Sequence, residues 1–167
     1  MKKLWSGILC ALISTTCAIS YSAEMRAGAA KVVISNDDPL VMVNGRRSKG
    51  VLEDIHARVL VLNDGAQRFV IVTYDLNCLD VATPILRGRV LDELGIPVEN
   101  LILLATHNHN APIQIVPDNF AYGRALANKI FHTIKEAIDS EVGPVQILFG
   151  TGNGKFIMNR GGAKTDA

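Results

Sequence analysis

The chain has 167 residues, with 17 Lys and Arg against 16 Asp and Glu, and the resulting net charge of +1 excludes both a basic nucleic-acid footprint and an acidic disordered tail. A length of this order supports one domain with a core of its own. With 49% hydrophobic residues and 14 Gly, the composition is that of a compact globular fold, although aromatic content is only 5%.

Residues 1–23 read as an export signal. Lys2 and Lys3 precede an apolar run from Leu4 to Ile13, and small residues follow around Ser20 to Ala23. The apolar run is short and is interrupted by Ser14, Thr15 and Thr16, which disfavours a permanent membrane anchor. Cleavage would send the mature chain, residues 24–167, to the periplasm or the exterior. Losing Lys2 and Lys3 leaves 15 basic residues against the same 16 acids, a net charge of −1. Cys10 and Cys17 leave with the signal, so Cys78 alone remains and no internal disulfide can form. Its neighbours Leu76, Leu79 and Val81 favour a buried, inert thiol over a nucleophile.

The mature chain reads as alternating strands and helices. Ala30 to Ser35 suggests a first strand, ended by the turn residues Asn36, Asp37, Asp38 and Pro39. Residues 44–50, NGRRSKG, form a polar loop bounded by glycines. Ala57 to Leu62 and Phe69 to Tyr74 form a hairpin about Asn63-Asp64-Gly65. The continuous run Phe69 to Val72 predicts burial on both faces. Thr83 and Pro84 offer a cap and a first turn for a helix carrying Leu86, Val90, Leu91 and Leu94, closed by Gly95 and Pro97. Leu101 to Ala105 is a further apolar strand. Phe120 to Asp139 predicts a second helix with Leu126, Ile130, Ile134 and Ile138 on one stripe. Gly143-Pro144 ends it, and Val145 to Phe149 suggests a last strand. The expected fold is α/β, a mixed sheet with helices packed on it.

Chemistry concentrates where strands of such a sheet end. One end is Thr73-Tyr74-Asp75-Leu76, where an apolar strand finishes on a carboxylate. The other is Thr106-His107-Asn108-His109-Asn110-Ala111-Pro112. In extended backbone, residues i and i+2 share a face at about 6 to 7 Å. His107 and His109 can therefore address one small volume, as two metal ligands or as a ligand beside a general acid/base. A polar turn, with both imidazoles bonded to backbone or water, is the competing reading of the same spacing. His132 within a helix and His56 before a strand read as structural.

The ordered set of segments is more specific than any one of them. Ala27 to Ser35, Gly50-Val51, Ala57 to Gly65, Val72 to Leu76, Ile96 to Pro112 and Asn159-Arg160 occur in an order and spacing that resembles the N-terminal part of the neutral/alkaline, non-lysosomal ceramidases and their bacterial relatives. The resemblance covers nearly all of residues 27–160. It implies the N-terminal portion of a larger α/β catalytic domain with one Zn²⁺, which hydrolyses the N-acyl amide bond of a lipid such as ceramide. It implies His107 as a zinc ligand, His109 as the group that assists at the scissile amide, and Arg160 as a contact to substrate or reaction oxygens. Gly45 would match a glycine loop near the substrate. Asp75 could orient a neighbouring imidazole or cap its own loop. The implied partners are a lipid amide or another small amide, with proximity to a membrane surface and an open oligomeric state.

The chain departs from the pattern in three places. Leu52 stands where relatives often carry a histidine, and Asn110-Ala111-Pro112 replaces the usual Ser-Gly-Pro. The family's other zinc ligands, a second His, a Glu and a Tyr, fall beyond residue 167, so an incomplete site is expected. Two other readings stand beside the hydrolase. One is a non-catalytic exported α/β module that binds a ligand or partner. The other is a metallohydrolase whose site is completed by oligomerisation.

Overall fold

A computed structural model describes residues 24–154. The expected export signal, residues 1–23, and Arg160 lie outside these residues. Four strands form one sheet in the order β1 (Arg26–Val33), β2 (His56–Asn63), β3 (Arg68–Tyr74) and β4 (Leu101–Ala105). The first two pairings are antiparallel and β3 with β4 is parallel. Helix α1 (Ala82–Leu94) makes the crossover from β3 to β4, and α2 (Phe120–Asp139) follows β4. This is the expected α/β fold, a mixed sheet with two helices packed on it.

The β2–β3 hairpin forms where Asn63, Asp64 and Gly65 predict it. Gly65 takes φ 86°, and the Asp64 carboxylate accepts the N–H groups of Ala66 and Gln67 at 2.9 and 2.8 Å. Strand β1 begins earlier than its apolar run suggests. Its Ala and Gly residues have little strand preference of their own, yet Arg26 pairs with Asn63 and the ladder runs to Val33 with His56. Helix α2 explains the small residues. A Cβ on Gly28 would stand 1.9 Å from the carbonyl oxygen of Ala137, so only glycine lets the last turns of α2 lie this close.

Helix α1 starts at Ala82, and Val81 occupies the capping position. Thr83 is not the cap; its hydroxyl bonds back to the Leu79 carbonyl. Gly95 ends the helix as expected, in the left-handed conformation at φ 64°, with its N–H on Leu91 O at 3.0 Å. Leu86 and Val90 are buried, but Leu91 faces solvent and drops out of the expected stripe. In α2, Leu126, Ile130 and Ile134 are buried as the periodicity predicts, with Phe131 beside them. The Arg89 guanidinium of α1 lies 3.7 Å from the Phe131 ring centroid and donates to Asn128 of α2 at 2.9 Å, tying the helices together.

Two expectations fail, one for want of a covering layer and one for want of a strand to pair with. Strand β3 is buried on one face only. Val70 and Val72 are fully buried, while Phe69 and Ile71 on the opposite face are half-exposed, because among the described residues both helices lie on the same side. Val145 to Phe149 forms no strand. Val142 bridges Ala27, and Val145 N–H reaches Met25 O at 2.8 Å. The segment then passes the start of β1 without a strand to pair with, and Phe149 is 91% exposed. No helix among the described residues is long and apolar enough to cross a membrane.

Candidate functional site

Because β3 and β4 are parallel, their C-terminal ends emerge side by side and place both candidate segments together. The ladder continues past the strands. Thr106 N–H donates to Tyr74 O at 3.1 Å, and Asn108 N–H donates to Leu76 O at 3.0 Å. His107 sits between these two donors with φ 62°, a left-handed conformation that costs a non-glycine residue about 1 kcal/mol or more. Asn108 holds the turn. Its amide donates to Asp75 O at 3.3 Å and its side-chain oxygen accepts Asn110 N–H at 2.8 Å.

The outcome is two exposed imidazoles whose ring centroids are 4.9 Å apart and tilted by 60°. They are neighbours as expected, but the cause differs. Extended backbone was the expected reason; the observed one is a left-handed residue followed by a side-chain turn. His56 opens β2 with its backbone bonded to Asp75 beside this corner, and His132 on α2 packs edge-on against Phe131 with ring centroids 5.8 Å apart.

Zinc accepts imidazole nitrogen at about 2.0 to 2.1 Å, and a catalytic site needs three protein ligands besides water. Two imidazoles are present. Among the described residues no group of three or more His, Cys, Asp or Glu could hold a metal ion. The described residues alone do not fit a catalytic zinc.

Asp75 is engaged with its own strand neighbours. Its carboxylate accepts His56 N–H at 3.0 Å and the Arg58 guanidinium at 3.0 and 3.1 Å. No imidazole of the described residues donates to it, while its carbonyl anchors Asn108. Gly45 takes φ 77° in a turn closed by Gly45 N–H on Met42 O at 2.8 Å. That turn is fastened to the histidine loop, since Val43 N–H reaches Ala111 O at 3.1 Å and Ile113 N–H reaches Val41 O at 3.0 Å.

Asn119 locks this junction. It is fully buried, accepts Val41 N–H at 3.1 Å, and donates to Val41 O at 2.8 Å and Ile113 O at 2.6 Å. Its place before α2 suggests a helix cap, but it makes no side-chain cap bond. The side chain is spent on the two loops instead. Cys78 is half-buried, and its thiol donates to Asp80 at 2.9 Å. Burial first, and then the Asp80 carboxylate, push the thiol up to about 11, which keeps it protonated and unreactive.

Beside the histidine loop lies a cleft of about 500 Å³, within the range of small-molecule sites. Ser48 and residues 50–55 form one wall, with Ser35 and Asn36, and Thr106, Asn108, Asn110 and Pro112 form another. The lining residues of the histidine loop thus alternate with His107 and His109. Composition and periodicity carry no signal for this cleft, because its walls come from segments far apart in the chain.

No protein-family model matches the chain. No curated protein matches it either. Solved structures do. The crystal structure of neutral ceramidase from Pseudomonas aeruginosa is similar with a TM-score of 0.59 and 23% identity, over 71% of this chain and 22% of that one. A ceramidase complexed with C2 is similar with a TM-score of 0.58, 23% identity and the same coverage. At this identity the likeness establishes a shared fold, and the chain spans about a fifth of the length of the structures it matches.

Proposed function

We propose that this chain carries part of an exported, zinc-dependent amide hydrolase of the neutral ceramidase type, acting on the N-acyl amide bond of a lipid such as ceramide. The observation that carries this reading is the His107–His109 pair, two adjacent imidazoles at the C-terminal end of a parallel strand, in a fold shared with ceramidase structures. In this reading His107 is a metal ligand, and the other ligands come from outside the described residues. Bound zinc would supply polarisation of the amide carbonyl. His109 accepts and returns a proton beside the scissile bond. Arg160 and Gly45 contact the substrate, and Asp75 holds the loop through its carbonyl bond to Asn108. Export rests on residues 1–23.

Zinc content by mass spectrometry, paired with hydrolysis of a fluorogenic N-acyl lipid amide by the whole gene product, tests the assignment. His107→Ala loses zinc and activity together. His109→Ala keeps zinc and loses about a hundredfold or more in turnover. Equal zinc loss in both variants would make His109 a second ligand and overturn the division of roles. Hydrolysis indifferent to both substitutions would overturn the hydrolase reading.

A second reading, an exported module that binds a ligand without turnover, is favoured by the incomplete metal-ligand set among the described residues. Ligand binding with no hydrolysis in the presence of zinc would select it.

A further inference from the structure

The histidine loop is clamped twice against the segment that follows β3. At its near end Asn108 donates from its backbone to Leu76 O at 3.0 Å and from its side chain to Asp75 O at 3.3 Å. At its far end Gln114 reaches back to the same segment, its Nε2 donating to Cys78 O at 3.2 Å. His109 lies between the two clamps. On the other side of the loop Val43 N–H holds Ala111 O, and Ile113 N–H holds Val41 O.

Gln114 is a poor choice for stability alone. It is fully buried, and its Oε1 is the one buried side-chain oxygen or nitrogen without a hydrogen-bond partner among the described residues. This oxygen lies against the first turn of α2, where a Cβ on Gly123 would stand 3.2 Å from it and 3.0 Å from the Val81 Cβ. Turning the amide over would set oxygen against oxygen at Cys78 and orphan the nitrogen instead. A stranded buried acceptor costs at least what one hydrogen bond returns, so an apolar side chain of the same shape would serve the fold as well or better. His107, in the same loop, carries the left-handed φ of 62° that a non-glycine residue avoids. Two such departures in one loop mark a place shaped for a site and not for stability.

We propose that Gln114 is a positioning residue, which closes the far clamp of the histidine loop and fixes the His109 ring against that of His107 at no gain in stability. It touches neither ring, and acts through the backbone between Asn110 and Ile113. The proposal rests on the hydrolase reading only for the reaction that the ring spacing serves.

Gln114→Met keeps the length of the side chain and removes both amide atoms. In the isotope-labelled full chain its thermal midpoint should stay within about 3 °C of the unsubstituted value. The nuclear Overhauser contact between the His107 and His109 rings, whose centroids are 4.9 Å apart, should weaken severalfold. In the whole gene product kcat for an N-acyl lipid amide should fall about tenfold, with KM held within about twofold. Gln114→Leu, a second apolar replacement, should repeat the pattern.

A ring contact unchanged in both variants would overturn the proposal. So would a midpoint lowered by more than about 10 °C in both, or a failure of both to fold, since Gln114 would then serve stability and not placement. A weakened contact with kcat unchanged would overturn the claim that the ring spacing serves the reaction. If the unsubstituted gene product shows no hydrolysis while the ring contact weakens in Gln114→Met, only the hydrolase reading is lost and Gln114 keeps its role.

Discussion

On one side of the sheet Val59, Val61, Val70 and Val72 lie beneath the helical layer, at most 3% exposed. On the other side Leu60, Ile102 and Leu104 belong to the same strands and are just as apolar, yet they stand 39%, 42% and 47% exposed. Strand propensity is similar on the two faces, so propensity does not decide burial. Coverage does. The periodicity of α2 supplies an apolar stripe for one side, and no described segment supplies one for the other. The folding free energy of residues 24–154 therefore resides on the helix side and in the loop junction beside it.

The largest test of that contrast is Phe131→Ala. It removes a fully buried ring and the partner of Arg89, and should cost about 3 to 5 kcal/mol, read as a lowered midpoint in denaturant unfolding. A loss below about 1 kcal/mol would mean that the helical layer is not the main source of stability. Asn119→Ala comes next, at about 2 to 3 kcal/mol, because it strands the N–H of Val41 and the carbonyl of Ile113, while Val41 O keeps only the Ile113 N–H. If Asn119 were only a helix cap, Asn119→Ser would restore stability; the loop-bridging role predicts that it does not.

Glu141 gives a smaller, pH-dependent test on the helix side. Burial alone would raise its carboxyl, but bonds from Asn63 at 2.7 Å and Arg68 at 2.6 Å outweigh that and hold it below its ordinary value of 4.5. A depressed carboxyl contributes stability in full above its unfolded value, and loses it as pH falls through the folded one. Glu141→Gln should therefore destabilise by about 1 kcal/mol at pH 7, and the difference should shrink steadily below pH 4.5 in acid unfolding curves. A pH-independent difference would assign the loss to packing. Smallest of all, Ile102→Thr on the open face should change stability by no more than about 0.5 kcal/mol. A cost near 2 kcal/mol would show that this face is covered in solution.

Legibility in the amino-acid sequence follows the same division. The hairpin and α2 were readable because their signals are local: a turn triplet for one and a helical stripe for the other. The start of β1 was not, since Gly28 and its alanines are explained by α2, more than a hundred positions away. Val145 to Phe149 has every local mark of a strand, but a strand also needs an edge to pair with. At the site, the spacing of His107 and His109 foretold that the rings meet, though not the left-handed turn that brings them together. Asn119 was missed because an Asn before a helix reads as a cap. Asp75 was legible as a strand-end carboxylate, but its partner Arg58 lies on the adjacent strand, where only the register reveals it.

The anchoring of β1 also ties the two ends of the described chain together. Ala29 N–H meets Ser140 Oγ at a separation of 111 residues, and the Arg26 guanidinium meets the Glu141 carbonyl at 115. The hairpin and the two helices are built from near neighbours, whereas these bonds belong to the class of distant contacts that slow folding. They also guard an edge: were β1 to detach, the outer edge of β2, from His56 to Asn63, would stand unpaired and able to recruit any extended chain nearby.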